Sequence, residues 1–227
     1  MGGSRAPRPP LRTAALLAMM SPAWFLGLYM LMAAWQPAFD HTFHPVSMLG
    51  AFGGLKAIVW NVLGFILPGA VIAVFGWSIR QTFWYTWTGY IAGMALAISG
   101  FLMAMAGVFT ADLDQTTSLT DTVHLMSGWG SLAAFLVAGL VTPWILWSRL
   151  GLRWPPVLLL GLVFGTFVYQ ILGTDQWWLG QRIGIACYFF WVALTARLLR
   201  RTDVVGVARR PTNRMIEGAG LLTPARS

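Results

Sequence analysis

Charged side chains are scarce in this sequence, and their scarcity excludes most water-soluble folds. They make up 10% of the 227 residues, whereas hydrophobic residues make up 57%. A typical globular domain has roughly 25% charged residues. The mean hydropathy is +0.67, and a soluble domain of this size cannot bury that much apolar surface. The composition therefore predicts an all-α polytopic membrane protein.

Cysteine is almost absent. The single cysteine, Cys187, lies in an apolar run, so the sequence allows no internal disulfide and no cysteine-based metal site. We interpret it as a small apolar packing residue. The net charge of +8 would suggest nucleic acid as a partner of a soluble protein, but most arginines here flank apolar runs. The positive-inside rule accounts for them, so we expect membrane lipids as partners and no nucleic acid.

Six apolar runs are predicted to cross the membrane. The first, Thr13–Trp35, has about 23 residues and no clear small-x-small cleavage site, so it differs from the roughly 7–15-residue core of a signal peptide. We assign residues 1–12 to a disordered basic arm, 13–200 to a six-helix transmembrane domain and 201–227 to a disordered cytoplasmic tail. The other predicted spans are Ile58–Ile79, Trp87–Phe109, Val123–Trp147, Val157–Gly173 and Ile183–Leu199.

The distribution of charge predicts an orientation with both termini in the cytoplasm. In that topology the inner segments hold 13 of the 15 basic residues, and only Lys56 and Arg182 fall outside. Five of the seven acidic residues lie outside. We therefore expect a multi-pass protein of the cell membrane, and the high proportion of arginine and the short loops suit a bacterial inner membrane. The inner basic residues are Arg5, Arg8, Arg12, Arg80, Arg149, Arg153, Arg197, Arg200, Arg201, Arg209, Arg210, Arg214 and Arg226.

Acidic residues gather in one stretch, residues 107–130. It holds Asp112, Asp114 and Asp121 and leads into His124 at the start of an apolar run. Because the surrounding sequence is hydrocarbon-soluble, we expect a functional site in this stretch.

Polar residues at membrane depth are functional candidates by default. Asn61, near the outer end of the second span, is the clearest one, and we expect its carboxamide to pair with an outer residue such as Ser47 or Asp112. Ser99, in the third span, is expected to bond to the backbone of its own helix.

All three histidines fall on the outer side of this topology. His41 and His44 lie next to an aspartate, and with His124 they form a candidate metal site, zinc being the metal that such ligands suit. A polar network that closes the helix ends, or a site that handles protons or substrate, would use the same residue types. The i, i+3 spacing of His41 and His44 serves a metal only in a helix, and Pro37 and Pro45 disfavour a helix there.

Two short patterns recur along the chain. The motif H-x-x-S-x-x-G occurs at residues 44–50 and 124–130, either by chance or because the first two hairpins are related. Small residues also recur at four-residue spacing, which predicts close helix packing or the face of a homo-oligomer. These pairs are Gly89 and Gly93, Gly161 and Gly165, and Gly180 and Gly184.

Several short motifs carry a resemblance to a known family. HPVSMLGA follows the first span, NVLGF and a Pro-Gly pair lie in the second, VFTAD ends the third, and DTVH opens the fourth. The chain thereby resembles the bacterial and archaeal membrane proteins called domain of unknown function 998, which have six spans and about this length. The resemblance covers about residues 13–200 and implies a pocket formed by Ser47, Asn61, Asp112 and His124. It implies no activity.

A looser similarity is to the ceramidase-like membrane hydrolases, which hold zinc with three histidines and use a serine and an aspartate nearby. This chain departs from them, because it has six predicted spans instead of seven and no paired histidines in its last helix.

Three functional hypotheses follow from these patterns. The first is an outward-facing polar pocket that binds a lipid head group or a small solute without covalent chemistry and without a cofactor. The second is a zinc-dependent lipid hydrolase, in which His41, His44 and His124 bind the metal and an aspartate acts as general base. The third is a structural or assembly subunit that packs through its glycine faces.

Overall fold

The computed structural model describes residues 11–51, 53–112, 118–150, 157–165 and 177–201. These residues contain helices and connecting turns, and no strand. A 3-10 helix, Val46–Gly50, follows α1, and residues 157–165 are also helical. The long helices are α1 (Leu11–Trp35), α2 (Gly54–Thr82), α3 (Trp87–Val108), α4 (Leu119–Leu150) and α5 (Trp177–Arg201).

Within the described residues, five helices are long and apolar enough to cross a membrane. They confirm five of the predicted spans, and their ends agree to within four residues except that α5 begins at Trp177, six residues before the predicted Ile183. Of the predicted span Val157–Gly173, residues 157–165 are helical and the remainder lies outside the described part of the chain. Most of the predicted arm and tail also lies outside it.

Helix ends follow the local sequence. Thr86 caps α3, because its Oγ1 accepts a hydrogen bond of 3.0 Å from the backbone N–H of Gly89. Ser118 caps α4 in the same way, accepting a bond of 3.1 Å from the N–H of Asp121. Gly53 and Gly54 precede and open α2 with φ angles of 71° and 68°, a left-handed turn that favours glycine.

A proline interrupts the hydrogen-bond ladder of α1 without ending the helix. Pro22 has no N–H to offer the carbonyl of Ala18, four residues before it. The hydroxyl of Ser21 donates to that carbonyl instead, at 2.7 Å. A carbonyl that would be costly to leave unpaired in hydrocarbon is thereby satisfied within the helix.

The helix α2 contains a π-helical segment, Asn61–Ile66. In it the N–H of Leu67 bonds to the carbonyl of Val62, five residues earlier. The carbonyl of Leu63 accepts a bond of 2.9 Å from Trp24 Nε1 on α1. The indole therefore ties α1 to the part of α2 where the regular ladder is widened.

Glycines bring α2 and α3 into backbone contact. A Cβ added to Gly69 would lie 2.6 Å from the carbonyl oxygen of Gly100, and one added to Gly76 would lie 2.8 Å from that of Gly93. A Cβ added to Gly107 would lie 2.7 Å from the carbonyl oxygen of Asn61. On each helix these glycines are seven residues apart, a spacing that returns to the same helix face after two turns.

The predicted four-residue glycine pairs account for less of the packing. Gly93 does approach the backbone of Arg80 on the neighbouring helix, whereas Gly89 faces the turn that precedes its own helix. Gly161 has no atom within 4 Å of its Cβ position, and Gly165 makes an ordinary contact of 3.5 Å with Cys187 Sγ.

Aromatic side chains fill the space between α1, α2 and α5. The rings of Phe25 and Phe189 stack with centroids 4.6 Å apart, and Trp60 lies 5.6 Å from Phe25. On the other side of α5, Phe135 contacts both Tyr188 and a buried tryptophan. These rings place α5 between α1 and α4.

Candidate functional site

Many polar residues collect at one end of the bundle, which we call the polar end. Helices α1 and α3 end there, and α2, α4 and α5 begin there. Arg182 on α5 donates from Nε to the hydroxyl of Tyr29 at 2.8 Å, and from Nη2 to the carbonyl of His44 at 2.7 Å. The Tyr29 hydroxyl lies 2.7 Å from His41 Nδ1. Because a guanidinium only donates, the Tyr29 hydroxyl accepts from Arg182, and the tautomer of His41 sets the direction of its second hydrogen bond.

The loop between α1 and the 3-10 helix is stabilised by its own side chains. His44 Nδ1 accepts a bond of 2.9 Å from the N–H of Asp40, and Asp40 Oδ1 accepts one of 2.6 Å from the N–H of Thr42. The bond from the Thr42 backbone holds the pKa of the Asp40 carboxyl below its usual value. His41 and His44 lie in a turn and not in a helix. The 44–50 copy of H-x-x-S-x-x-G therefore differs from the α-helical copy at 124–130.

Three hydrogen bonds between side-chain amides and the backbone, all buried or half-buried, hold the 3-10 helix in place. The N–H of Val46 donates to Gln181 Oε1 at 3.0 Å, and Gln36 Nε2 donates to the carbonyl of Leu49 at 3.1 Å. Asn61 Nδ2 donates to the carbonyl of Gly50 at 3.0 Å. The prediction that Asn61 pairs with Ser47 or Asp112 is therefore wrong, since a backbone carbonyl is its partner.

His124 caps the end of α3. Its Nδ1 lies 2.8 Å from the carbonyl oxygen of Ala106 and 2.9 Å from that of Phe109. The last four carbonyls of a helix have no partner within the helix, and Ala106 is one of them. Carbonyl oxygens only accept, so Nδ1 carries a proton and the neutral ring has its acceptor at Nε2. The side chain is 6% exposed.

A cavity of about 270 Å³, which we call the central cavity, lies between the five long helices next to the polar end. Leu125 and Trp129 on its walls are 50% and 57% exposed, so it opens at the side of the bundle. All five long helices and the 3-10 helix contribute to its lining. Its walls are mostly apolar, with Phe25, Phe65 and Trp129 among them. No charged side chain is found among the described residues that line it. The polar lining residues are Ser47, His124, Ser131, Gln181 and Tyr188.

The four predicted pocket residues are only partly brought together. Ser47 and His124 both line the central cavity. Asn61 does not line it, but it holds Gly50, three residues after Ser47. Asp112 does not line it either: its backbone N–H donates to Asp121 Oδ1 at 3.3 Å, one turn before His124. Asp114 lies outside the described residues.

A buried hydroxyl cluster lies at the base of the cavity. Ser99 Oγ donates to the carbonyl of Ser131 at 2.8 Å, and Ser131 Oγ donates to the carbonyl of Ser99 at 2.9 Å. The hydroxyl of Tyr188, 3.1 Å away, therefore donates to Ser99 Oγ. The prediction that Ser99 bonds within its own helix is wrong, because it joins α3, α4 and α5.

Sequence reasoning missed Ser131, Tyr188 and Gln181. One signal was present: His124, Ser127 and Ser131 fall at i, i+3 and i+7, a polar stripe on one face of an otherwise apolar helix. Tyr188 and Gln181 carried no such signal, because each stands alone in its part of α5.

The three histidines are not brought together. His41 bonds to Tyr29 and His44 to the backbone of Asp40, while His124 bonds to two carbonyls at the end of α3. Among the described residues, no group of three His, Cys, Asp or Glu side chains lies close enough to hold a metal ion.

The comparisons with known proteins identify a family. A family model described as "Protein of unknown function (DUF998)" matches residues 19–198 of the chain. Comparison with curated proteins and with solved structures gave no match. The chain belongs to the DUF998 family, and its apolar helices are those of an integral membrane protein.

Proposed function

We propose that this member of the DUF998 family is a six-span protein of the cell membrane that binds a small solute or a lipid head group in its central cavity, without covalent chemistry. His124 carries the proposal. Its Nδ1 is held by two carbonyls, so its Nε2 is the atom that remains for a ligand in a cavity that the ring lines.

The ends of the helices support six spans. α4 begins at the polar end, since His124 lies against the end of α3, and its 32 residues run to the opposite end. α5 begins at the polar end, since Arg182 bonds to Tyr29. These two positions, at opposite ends of the bundle, support a sixth span between α4 and α5, and residues 157–165 of that stretch are helical. The positive-inside rule, applied to the 13 basic residues that the sequence assigns to the inner side, supports cytoplasmic termini and an outward-facing polar end.

The lining favours recognition by hydrogen bonds over recognition by charge. His124 Nε2 offers an acceptor, and the hydroxyl of Ser47 offers a donor and an acceptor. Gln181 Oε1 accepts a hydrogen bond from the backbone N–H of Val46, so the N–H groups of the same amide are the donors that it offers to a ligand. A cavity of about 270 Å³ is near the lower end of the roughly 300–1,000 Å³ seen for ligand sites. It therefore suits a small molecule or the polar end of a larger one.

Asn61 and Asp112 support the cavity and do not contact the ligand. Asn61 fixes the 3-10 helix that carries Ser47. The backbone of Asp112 is tied to Asp121, which lies on the same face of α4 as His124. The two residues thus hold the walls that carry Ser47 and His124.

A cavity-filling variant tests the proposal. Gly128 lines the cavity, and no atom lies within 4 Å of the position that a Cβ would take. Gly128→Leu should therefore fill the cavity without a backbone clash. Gly27→Leu is a matched control, because Gly27 has the same open surroundings on α1 and does not line the cavity.

The measurement is mass spectrometry of the molecules extracted from purified full-length protein, quantified per chain. We expect one component near one molecule per chain in the wild type and in Gly27→Leu. It should be lost in Gly128→Leu and at least tenfold depleted in Ser47→Ala and His124→Phe. If Gly128→Leu retains every component that the wild type retains, the cavity is not a binding site, and a structural role remains.

A further inference from the structure

A second cavity, of about 420 Å³, lies between α1 and α5. Its lining residues are apolar except at one end, where Tyr29 and Arg182 contribute polar atoms. Leu26 and Phe190 on its walls are 56% and 59% exposed, so it opens at the side of the bundle. We call this cavity, with its walls on α1 and α5, the lateral groove.

The length of the lateral groove matches one leaflet of a bilayer. On α5 its lining extends from Arg182 to Ala193, and these eleven steps of 1.5 Å span about 16 Å. On α1 it extends from Tyr29 to Met19, ten steps or about 15 Å. A bilayer has a hydrocarbon core about 30 Å thick, so each leaflet contributes about 15 Å.

A cation is held at the end of the groove that lies at head-group depth. The hydrogen bonds from Arg182 to the Tyr29 hydroxyl and to the His44 carbonyl fix the guanidinium at this end. Its carbon also lies 5.9 Å from the ring centre of Phe39. Guanidinium groups are well suited to phosphate, because their planar donors match phosphate oxygens.

From these features we propose that the lateral groove binds one anionic phospholipid, whose phosphate contacts Arg182 and one of whose acyl chains lies between α1 and α5. The opposite end of the groove, at Met19 and Ala193, is apolar. The groove is distinct from the central cavity: Phe25 and Ile185 line both and separate them. The proposal therefore stands or falls independently of the function proposed for that cavity.

Two variants address the two parts of the lipid. Arg182→Gln removes the charge and keeps hydrogen-bonding capacity, whereas Arg182→Lys keeps the charge. Ala186→Phe places a ring in the groove from an exposed position and so disturbs no buried packing. Ala70→Phe is the matched control, since Ala70 is exposed on α2 and does not line the groove. Lys56→Gln removes a cation at the polar end but outside the groove.

The assay uses full-length protein in nanodiscs of equimolar phosphatidylglycerol and phosphatidylcholine. After extraction into mild detergent, native mass spectrometry counts the lipids retained on each chain. We expect the wild type to retain phosphatidylglycerol over phosphatidylcholine by at least fivefold. The preference should fall to near unity in Arg182→Gln and persist in Arg182→Lys and Lys56→Gln. In Ala186→Phe about one lipid per chain should be lost, and in Ala70→Phe none.

Several results would overturn the proposal. One is a wild type that retains both lipids equally, and another is a preference that survives both Arg182→Gln and Ala186→Phe. Retention that depends on Ala186 but shows no head-group preference would also overturn it, because the groove would then hold a neutral chain. The variants Gly128→Leu and His124→Phe of the central cavity should leave the phosphatidylglycerol preference unchanged.

Discussion

Replacing Ser99 should destabilise this protein more than replacing a buried serine whose hydrogen bond stays within its own helix. Ser99 Oγ donates to the Ser131 carbonyl and accepts from Tyr188, and it is 0% exposed. Hydrogen bonds between transmembrane helices average about 0.6 kcal/mol and reach about 1.7 kcal/mol. Ser99→Ala loses two such bonds and leaves the Tyr188 hydroxyl without its acceptor, so we expect a loss of about 2 kcal/mol. Tyr188→Phe loses one bond and should cost about 0.6 kcal/mol.

Ser78 provides the matched control. It is 1% exposed, and its Oγ donates to the carbonyl of Val74 in its own helix, at 2.8 Å. Ser78→Ala should therefore cost less than about 0.5 kcal/mol, because the lost bond joins no second element. The free energy of unfolding is measured by equilibrium denaturation in detergent micelles, and the double variant Ser99→Ala/Tyr188→Phe gives the coupling between the two side chains. A Ser99→Ala loss no greater than that of Ser78→Ala, or purely additive effects in the double variant, would refute the cluster.

Three further predictions concern packing, polar positioning and metal. Gly100→Ala should lower the free energy of unfolding by about 1–3 kcal/mol, since its Cβ would lie 2.5 Å from the Gly69 carbonyl oxygen. Gly27→Ala, with no atom within 4 Å, should be neutral or stabilise the protein by up to about 1 kcal/mol, and equal losses would contradict this packing. Asn61→Ala should cost about 1–3 kcal/mol in the same unfolding assay, because the Gly50 carbonyl loses its donor; wild-type stability would show that the 3-10 helix does not depend on it. Elemental analysis of unchelated protein should find well below one zinc per chain, because the three histidines bond to separate partners; one equivalent that His124→Ala abolishes would favour the hydrolase.

The helices could be predicted from the sequence because a helix that crosses the hydrocarbon core needs about 20 consecutive, mostly apolar residues. Trp87 and Trp35 mark the start of α3 and the end of α1, as predicted from the apolar runs. The glycine contacts could not be found by the four-residue rule, since they repeat every seven residues. Gly69 and Gly76 pair with Gly100 and Gly93 only when α2 and α3 lie antiparallel, and that relation is set by tertiary structure.

The candidate site was only half predictable. His124 and Ser47 stood out because they are polar residues beside apolar runs, and both line the cavity. The partner of Asn61 could not be inferred, because backbone carbonyls carry no sequence signal. Gly50 presents its carbonyl to Asn61 through a 3-10 turn that places residues 46–50 over the start of α2.

The π-helical segment of α2 determines which way the rest of that helix faces. Each residue of an α-helix turns the chain by about 100°, so one residue more or less rotates everything that follows by about that angle. The segment Asn61–Ile66 lies between Asn61, which faces the 3-10 helix, and Gly69, which faces α3. Deleting one residue there would convert a wide turn into an ordinary one and swing Gly69 and Gly76 away from α3. The π-helical turn thus sets the rotation of the second half of α2, so that Asn61 faces the 3-10 helix while Gly69 and Gly76 face α3.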